Sequence, residues 1–143
     1  MIQLLQPSLM GSFTHILSTD PALDKDAEGF KEGYEQFLET GAQPPVKNGE
    51  MPTIFTLEPL KDAELDAATR GHLSKGGTAW AVETACYCLT KIENLKDAEG
   101  KDFALEFEMV NGFRKVCKEH RNMMGREVLA ELGTIVIGKQ NFS

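Results

Sequence analysis

Residues 78–93, TAWAVETACYCLTKIE, carry the most regular apolar pattern of the chain. Their apolar side chains recur three or four positions apart, as on one face of an α-helix: Val82, Ala85, Cys86, Leu89 and Ile92. The pattern predicts one helix over the whole stretch, with Trp80 near its start. Such a helix has to bury its apolar face, so its packing partners must lie elsewhere in the chain.

Four more segments show the period of a helix and bring the predicted number of helices to about five. Residues 24–40 carry an aromatic stripe, and Gly41 is suited to end that helix. The others are predicted at 62–75, 109–120 and 122–137. In the last of these, Gly125 and Gly133 are expected to weaken the helix by about 1 kcal/mol each relative to alanine.

Three short segments alternate apolar and polar residues and predict strands. They span 13–18, 53–58 and 103–107. The last is either a strand that pairs with 53–58 or an extended arm. Asn48-Gly49, which lies between prolines, is suited to a type I′ hairpin turn.

These patterns predict an α+β fold that is mainly α-helical, with about five helices and a small β-hairpin or short sheet. With 143 residues the chain is long enough for one globular domain with its own core. One domain is expected over residues 1–143, with a short mobile tail at 138–143.

Composition argues against several classes of partner. The net charge is −7, whereas a protein that binds nucleic acid needs a clustered basic face. The chain has no apolar run of 18 residues, so no membrane partner is expected. Its three cysteines, Cys86, Cys88 and Cys117, leave at least one unpaired. Free thiols in a reducing, cytosolic compartment are therefore expected.

The acidic stretch Asp97-Ala-Glu-Gly-Lys-Asp102 has some features of a calcium loop. With Gly100 at loop position 6, Glu106 falls at position 12, but position 1 is Leu95, which offers no side-chain oxygen. A surface turn in which Gly100 has positive φ is the favoured interpretation. Replacement of Asp97 or Glu99 by alanine is then expected to change stability by less than about 0.5 kcal/mol.

No other pattern predicts a metal site or a catalytic group. On a helix, Cys86 and Cys88 point about 200° apart, and no spacing typical of zinc ligands is present. His15, His72 and His120 lie in no recognisable motif, and no G-x-S-x-G elbow or phosphate loop is found. No metal, no cofactor and no enzymatic activity are therefore expected.

Binding to another protein is favoured over catalysis. Short amphipathic helices, an acidic surface and closely spaced methionines suit a chain that holds a partner, because methionine side chains adapt to many surfaces. Core filling is the competing interpretation of the same methionines. The partner-binding residues are predicted to be Met109, Phe113, Met123, Met124, Leu129 and Leu132.

Four segments, taken in chain order, resemble the small tail assembly chaperones of tailed bacteriophages. They are FTHILSTD (13–20), MPTIFTLEPL (51–60), CLTKIENLKDAEG (88–100) and EVLAELGTIV (127–136). They resemble, in turn, the early strand of that family, its strand introduced by a proline, its helix that ends before an acidic glycine turn, and its closing helix.

The resemblance implies a non-enzymatic protein of the host cytoplasm that holds the tape measure protein in solution and recruits tail tube subunits. It carries over no catalytic residue. The alternative is a structural virion component or another adaptor that assembles into homo-oligomers.

Overall fold

The computed structural model describes residues 11–59, 77–110 and 112–140. The strands are β1 (Phe13–His15), β2 (Ile54–Leu57), β3 (Leu89–Glu93), β4 (Phe107–Val110) and β5 (Phe113–Val116). The helices are α1 (Phe30–Thr40), α2 (Gly77–Cys88) and α3 (Lys118–Gln140). Strands β1, β2 and β3 form one antiparallel sheet in that order, and β4 pairs with β5 in a second antiparallel sheet.

The prediction of a mainly helical fold with five helices is therefore wrong. Within the described residues there are three helices and five strands, and the strands form two separate antiparallel sheets. The helix predicted at 62–75 lies outside the described residues. Neither of the two regions where helix was predicted and strand is found, 89–93 and 109–116, contains a proline that would have excluded a helix.

The stretch 78–93 divides at Cys88, where α2 ends and β3 begins. Thr56 pairs with Lys91 while Leu57 pairs with Leu89, so Thr90 is an extra residue that forms a β-bulge. The bulge turns both Leu89 and Ile92 into the core, although a regular strand would place residues three apart on opposite faces. Because of the bulge, β3 buries two apolar residues three positions apart, which is the spacing that predicted a helix.

The segment predicted as a helix at 109–120 is the β4–β5 hairpin followed by the start of α3. Val110 pairs with Phe113, and Gly112 has a φ of 84°. The intervening Asn111-Gly112 is the dipeptide that most favours a two-residue hairpin turn. The second Asn-Gly pair, at 48–49, shows positive φ at Gly49 alone, so it does not form the predicted type I′ turn.

The remaining predictions shift in extent. Helix α1 begins at Phe30 rather than at residue 24, and Gly41 ends it with a φ of 82°. Residues 103–106 are the extended arm, because the Phe103 N–H donates to the Leu95 carbonyl and no pairing with β2 occurs. Helix α3 continues through residues 138–140 of the predicted tail, and it is kinked at Gly125, where φ is 85° and ψ is 163°.

The main core lies where α2 crosses α3, and it includes side chains of β2, β3 and β5. Its most buried side chains include Leu57, Ala85, Val116, Leu132 and Val136. At the crossing, a Cβ added to Gly133 would lie 1.7 Å from the Ala81 carbonyl oxygen. The two helices therefore approach each other closely only because residue 133 has no side chain.

A second, smaller core joins α1 to the loop after β1 and consists of Ile16, Leu23 and Phe37. The Tyr34 hydroxyl donates to the Ile16 carbonyl at 2.7 Å. In the described part of the chain, no helix combines the length and the apolar character that a membrane crossing requires.

Candidate functional site

The β4–β5 hairpin is anchored to α2 by a charged side chain on the sheet. Lys115 of β5 is 7% exposed, and its Nζ forms an ion pair with Glu83 of α2. The same Nζ lies 5.2 Å from the centre of the Tyr87 ring. A buried ammonium group needs such partners, because the cost of removing it from water is high. The anchor therefore holds the hairpin in one orientation.

A second contact ties the hairpin to the start of α3. The Lys118 N–H donates to Glu108 Oε1 at 2.9 Å, and Arg121 Nη2 lies 3.4 Å from Glu108 Oε2. The first turn of a helix has free N–H groups and a partial positive charge, so a carboxylate is favoured there. Glu108 thus caps α3 from the neighbouring strand.

The six predicted partner-binding residues differ in how much of their surface is exposed. Met109 on β4 and Met123 on α3 have 69% and 52% of their surface exposed. Phe113 and Met124 are half-buried and pack against the main core. Leu129 and Leu132 are 3% and 0% exposed and belong to that core, so they offer no surface to a partner.

The structure also exposes a methionine outside the predicted set. Met51 has 68% of its surface exposed and precedes β2. Its position before Pro52, in a loop rich in proline, was the sequence signal that it would not be buried on a helix or strand.

Three potential metal ligands meet at the base of the hairpin. Glu106 precedes β4, Cys117 follows β5, and His120 lies in the first turn of α3. One ligand atom from each lies within 4.8 Å of the other two. The sequence shows no pattern that groups them, because ten residues lie between Glu106 and Cys117 and only the hairpin brings these two together. The spacing Cys117-x-x-His120 was the signal available in the sequence.

Hydrogen bonding sets the orientation of the His120 ring. The Glu106 N–H donates to Nδ1 at 3.1 Å, so Nδ1 carries a lone pair and the neutral ring has its proton on Nε2. Nε2 lies 3.9 Å from Glu106 Oε2, beyond hydrogen-bond distance, and makes no hydrogen bond to the described residues. The Phe103 ring packs against the imidazole at 4.6 Å between centres.

A second polar cluster joins β1 and α3 but is not arranged for nucleophilic catalysis. His15 Nε2 donates to Glu131 Oε2 at 2.8 Å, while the Ser18 hydroxyl donates to Oε1 and the Ser18 N–H to Oε2, both at 2.9 Å. In a catalytic triad the histidine lies between the serine and the carboxylate. Here the carboxylate lies between the other two, so the cluster acts as a structural link.

Burial and hydrogen bonding set the pKa values of Glu131 in this cluster and of the nearby Tyr34. Burial alone would raise the pKa of Glu131, but the hydrogen bonds from His15 and Ser18 outweigh burial and the pKa is lowered. Burial, aided by the carboxylates of Glu131 and Asp20, raises the pKa of Tyr34. Both groups therefore keep their ordinary ionisation state at neutral pH.

The acidic turn is the predicted glycine turn, with a φ of 81° at Gly100. Asp97 Oδ1 accepts from the N–H groups of Glu99 at 2.8 Å and of Lys101 at 3.0 Å. Lys96 forms an ion pair with Asp102 across the base of the turn. The Asp97 carboxylate thus serves the backbone of its own turn.

The thiols of Cys86 and Cys88 are buried, and the burial of Cys86 agrees with its predicted place on an apolar face. Burial, followed by the nearby Glu83 carboxylate, raises the pKa of Cys86 to about 11 against the opposing effect of Lys115 and Arg121. A thiol with so high a pKa stays protonated at neutral pH and is a poor nucleophile. Cys117 is half-buried.

Comparisons of the chain with protein-family models, with curated proteins and with solved structures find no match.

Proposed function

We propose that the chain is a non-enzymatic adaptor or assembly chaperone of phage tails, which works in the host cytoplasm. On this proposal it binds the tape measure protein or tail tube subunits through the exposed methionines of the hairpin and of α3. The four segments that resemble tail assembly chaperones support the class of function. The acidic composition supports a protein partner over a nucleic acid.

The observation that carries the binding surface is the exposure of Met109 and Met123, at 69% and 52%. Large apolar side chains in water gain free energy when a partner covers them, at about 25 cal/mol per Å² of apolar surface. Met109 lies on a hairpin that Lys115 and Glu108 hold in place. Little conformational entropy of the backbone is therefore lost when a partner binds there.

Co-expression with the neighbouring tape measure gene, followed by a pull-down through a tag on this chain, tests the proposal. The wild-type chain is expected to retain the partner, and Met109→Glu and Met123→Glu are expected to weaken retention at least about tenfold through loss of apolar contact and gain of charge. Met51→Glu is the matched control, because Met51 is as exposed as Met109 but precedes β2.

Two outcomes would contradict the proposal. Failure of the wild-type chain to retain the tape measure or tail tube protein at any salt concentration would remove the assigned partners. Equal loss of binding in Met51→Glu would remove the assigned surface. Stable homo-oligomers of the purified chain in light scattering, with no retained partner, would favour the structural virion component instead.

A further inference from the structure

We propose that Glu106, Cys117 and His120 form a binding site for one Zn²⁺ ion, with the fourth position of the tetrahedron open to water. The ligand atoms of these three side chains already lie within 4.8 Å of one another. Thiolate, imidazole and carboxylate are the protein ligands of zinc, and a site with three protein ligands leaves one position open. Calcium and magnesium prefer sites built from oxygen atoms alone.

The ligand atoms, which lie within 4.8 Å of one another, have to approach by up to about 1–1.5 Å to reach zinc geometry. Ligand distances of 2.0–2.3 Å place the ligand atoms of a tetrahedral site about 3.3–3.8 Å apart. The His120 Nε2 to Glu106 Oε2 distance is 3.9 Å, which is close to that range. The Glu106 side chain is 70% exposed and free to turn toward the ion, whereas His120 is held by the surrounding structure.

The His120 ring is the fixed part of the site. The residue is 8% exposed, its Nδ1 accepts from the backbone, and its ring packs against Phe103. Neutral imidazole binds zinc through either ring nitrogen, so a held imidazole beside a thiol and a carboxylate supplies one fixed ligand. To bind through Nε2 the neutral ring has to move its proton from Nε2 to Nδ1, whereas binding through Nδ1 uses the lone pair that now accepts the Glu106 N–H.

Zinc binding must break the hydrogen bond from the Glu106 N–H to His120. If the ion binds Nδ1, it takes the lone pair that now accepts the amide proton. If it binds Nε2, the neutral ring carries its proton on Nδ1, which then faces the amide proton. The Cys117 thiol loses its proton to solvent as the Zn–S bond forms, and no electron is transferred.

The position of the site gives it a structural effect on the hairpin. Glu106 and Cys117 flank β4 and β5, and His120 lies on α3, so a bound ion would close the base of the hairpin against the helix. The Cys117 N–H already donates to the Glu106 carbonyl at 3.0 Å across this base. A ligand that binds only the folded chain raises its melting temperature.

Titration of the purified chain with Co²⁺ tests the site, because Co²⁺ bound to a thiolate absorbs in the near ultraviolet. Zn²⁺ is added afterwards to displace the Co²⁺. One ion per chain is expected. Cys117→Ser is expected to lose the thiolate band, and Glu106→Gln to weaken binding at least about tenfold, since loss of even an outer partner costs 10–100-fold. Glu119→Gln is the matched control, because Glu119 is an exposed glutamate on α3 outside the trio.

The Glu106 amide supplies a readout that does not depend on absorption. In nitrogen–proton correlation spectra, zinc is expected to move the Glu106 amide upfield and to speed its exchange with solvent, as it loses its acceptor. Absence of a thiolate band, or an unchanged band in Cys117→Ser, would overturn the proposal. Zinc binding that leaves the Glu106 amide unchanged, or equal affinity in Glu106→Gln, would do the same.

Discussion

At the scale of single residues, glycine has two different roles in this chain. Gly100 is needed for its positive φ, a role that the sequence predicted from the acidic turn. Gly133 is needed because Ala81 of the neighbouring helix leaves no room for a side chain. Helix propensity alone treats Gly133 as a weak point, whereas packing makes it a requirement.

Gly133→Ala is expected to lower the free energy of unfolding by about 3 kcal/mol, because the new Cβ meets backbone atoms that have to move. Gly138→Ala is the control, since Gly138 lies on the same helix with nothing within 4 Å of an added Cβ. That change is expected to raise stability by up to about 1 kcal/mol. Urea unfolding of both variants measures the difference, and stabilisation by Gly133→Ala would contradict the close crossing.

Asp97→Ala is expected to cost about 1 kcal/mol, more than the sequence suggested, because its carboxylate accepts from two backbone N–H groups. Asp97→Asn keeps an oxygen acceptor and is expected to cost less. Glu99→Ala is expected to stay within about 0.5 kcal/mol. Thermal melts can rank the three variants, and an equal effect at both acidic positions would show that the turn does not depend on Asp97.

At the scale of elements, helix α3 and strand β3 depend on contacts outside their own sequence. Helix α3 begins where Glu108, on strand β4, accepts the Lys118 N–H. Strand β3 follows directly after α2, and its bulge at Thr90 lets Leu89 and Ile92 both face the core. These two elements are thus shaped by their neighbours, whereas α1 ends at a local signal, Gly41.

Glu108→Ala is expected to cost about 1 kcal/mol more than Glu119→Ala, as for the loss of a helix cap. Both variants remove one negative charge near the start of α3, but only Glu108 accepts the first free N–H of the helix. Denaturant unfolding of the two variants at equal salt measures the contribution of the cap together with the Arg121 contact, apart from the loss of one charge. Equal losses would mean that the cap contributes nothing beyond its charge.

At the scale of the whole molecule, a few long-range polar contacts join the first third of the chain to its last helix. Glu131 on α3 accepts from His15 and Ser18, which lie 116 and 113 positions earlier. Near the end of the same helix, Lys139 Nζ donates to the Leu38 carbonyl at 3.3 Å. These contacts join the smaller core to the main one.

Glu131→Gln is expected to lower stability at neutral pH by about 2 kcal/mol, because hydrogen bonds to a charged acceptor contribute most and the amide nitrogen of glutamine donates and cannot accept. The pKa of Glu131 is lowered in the folded chain from an ordinary value of 4.5. Its stabilisation is therefore complete above pH 4.5 and is lost as the pH falls through the lower folded pKa.

Unfolding is measured across this pH range. The free energies of unfolding of the wild type and of Glu131→Gln are expected to converge at acid pH. Glu127→Gln is the control, since Glu127 is exposed on the same helix. A constant gap between wild type and Glu131→Gln at all pH values would contradict the role of the charge.

Most of the candidate site could not be predicted from the sequence. Met109 and Met123 were selected for their chemistry and are exposed, whereas Leu129 and Leu132 carry the same apolar signal and are buried. Burial depends on which face of α3 meets α2, and this is a property of the packed helices. Likewise, Glu106 comes near His120 only because the hairpin returns the chain to its starting point.

The sequence by itself determined the local features: strands within 53–58 and 13–18, the end of α1 at Gly41, the glycine turn at Gly100, and an acidic composition. Each of these depends on a few adjacent residues. Only the tertiary structure decided that 89–93 and 107–116 form strands, that Gly133 is a crossing point, and that Glu106, Cys117 and His120 meet. Apolar spacing indicates that a side chain is buried. Strand pairing and helix crossing decide whether it is buried on a helix or on a strand, and both involve residues far apart in the chain.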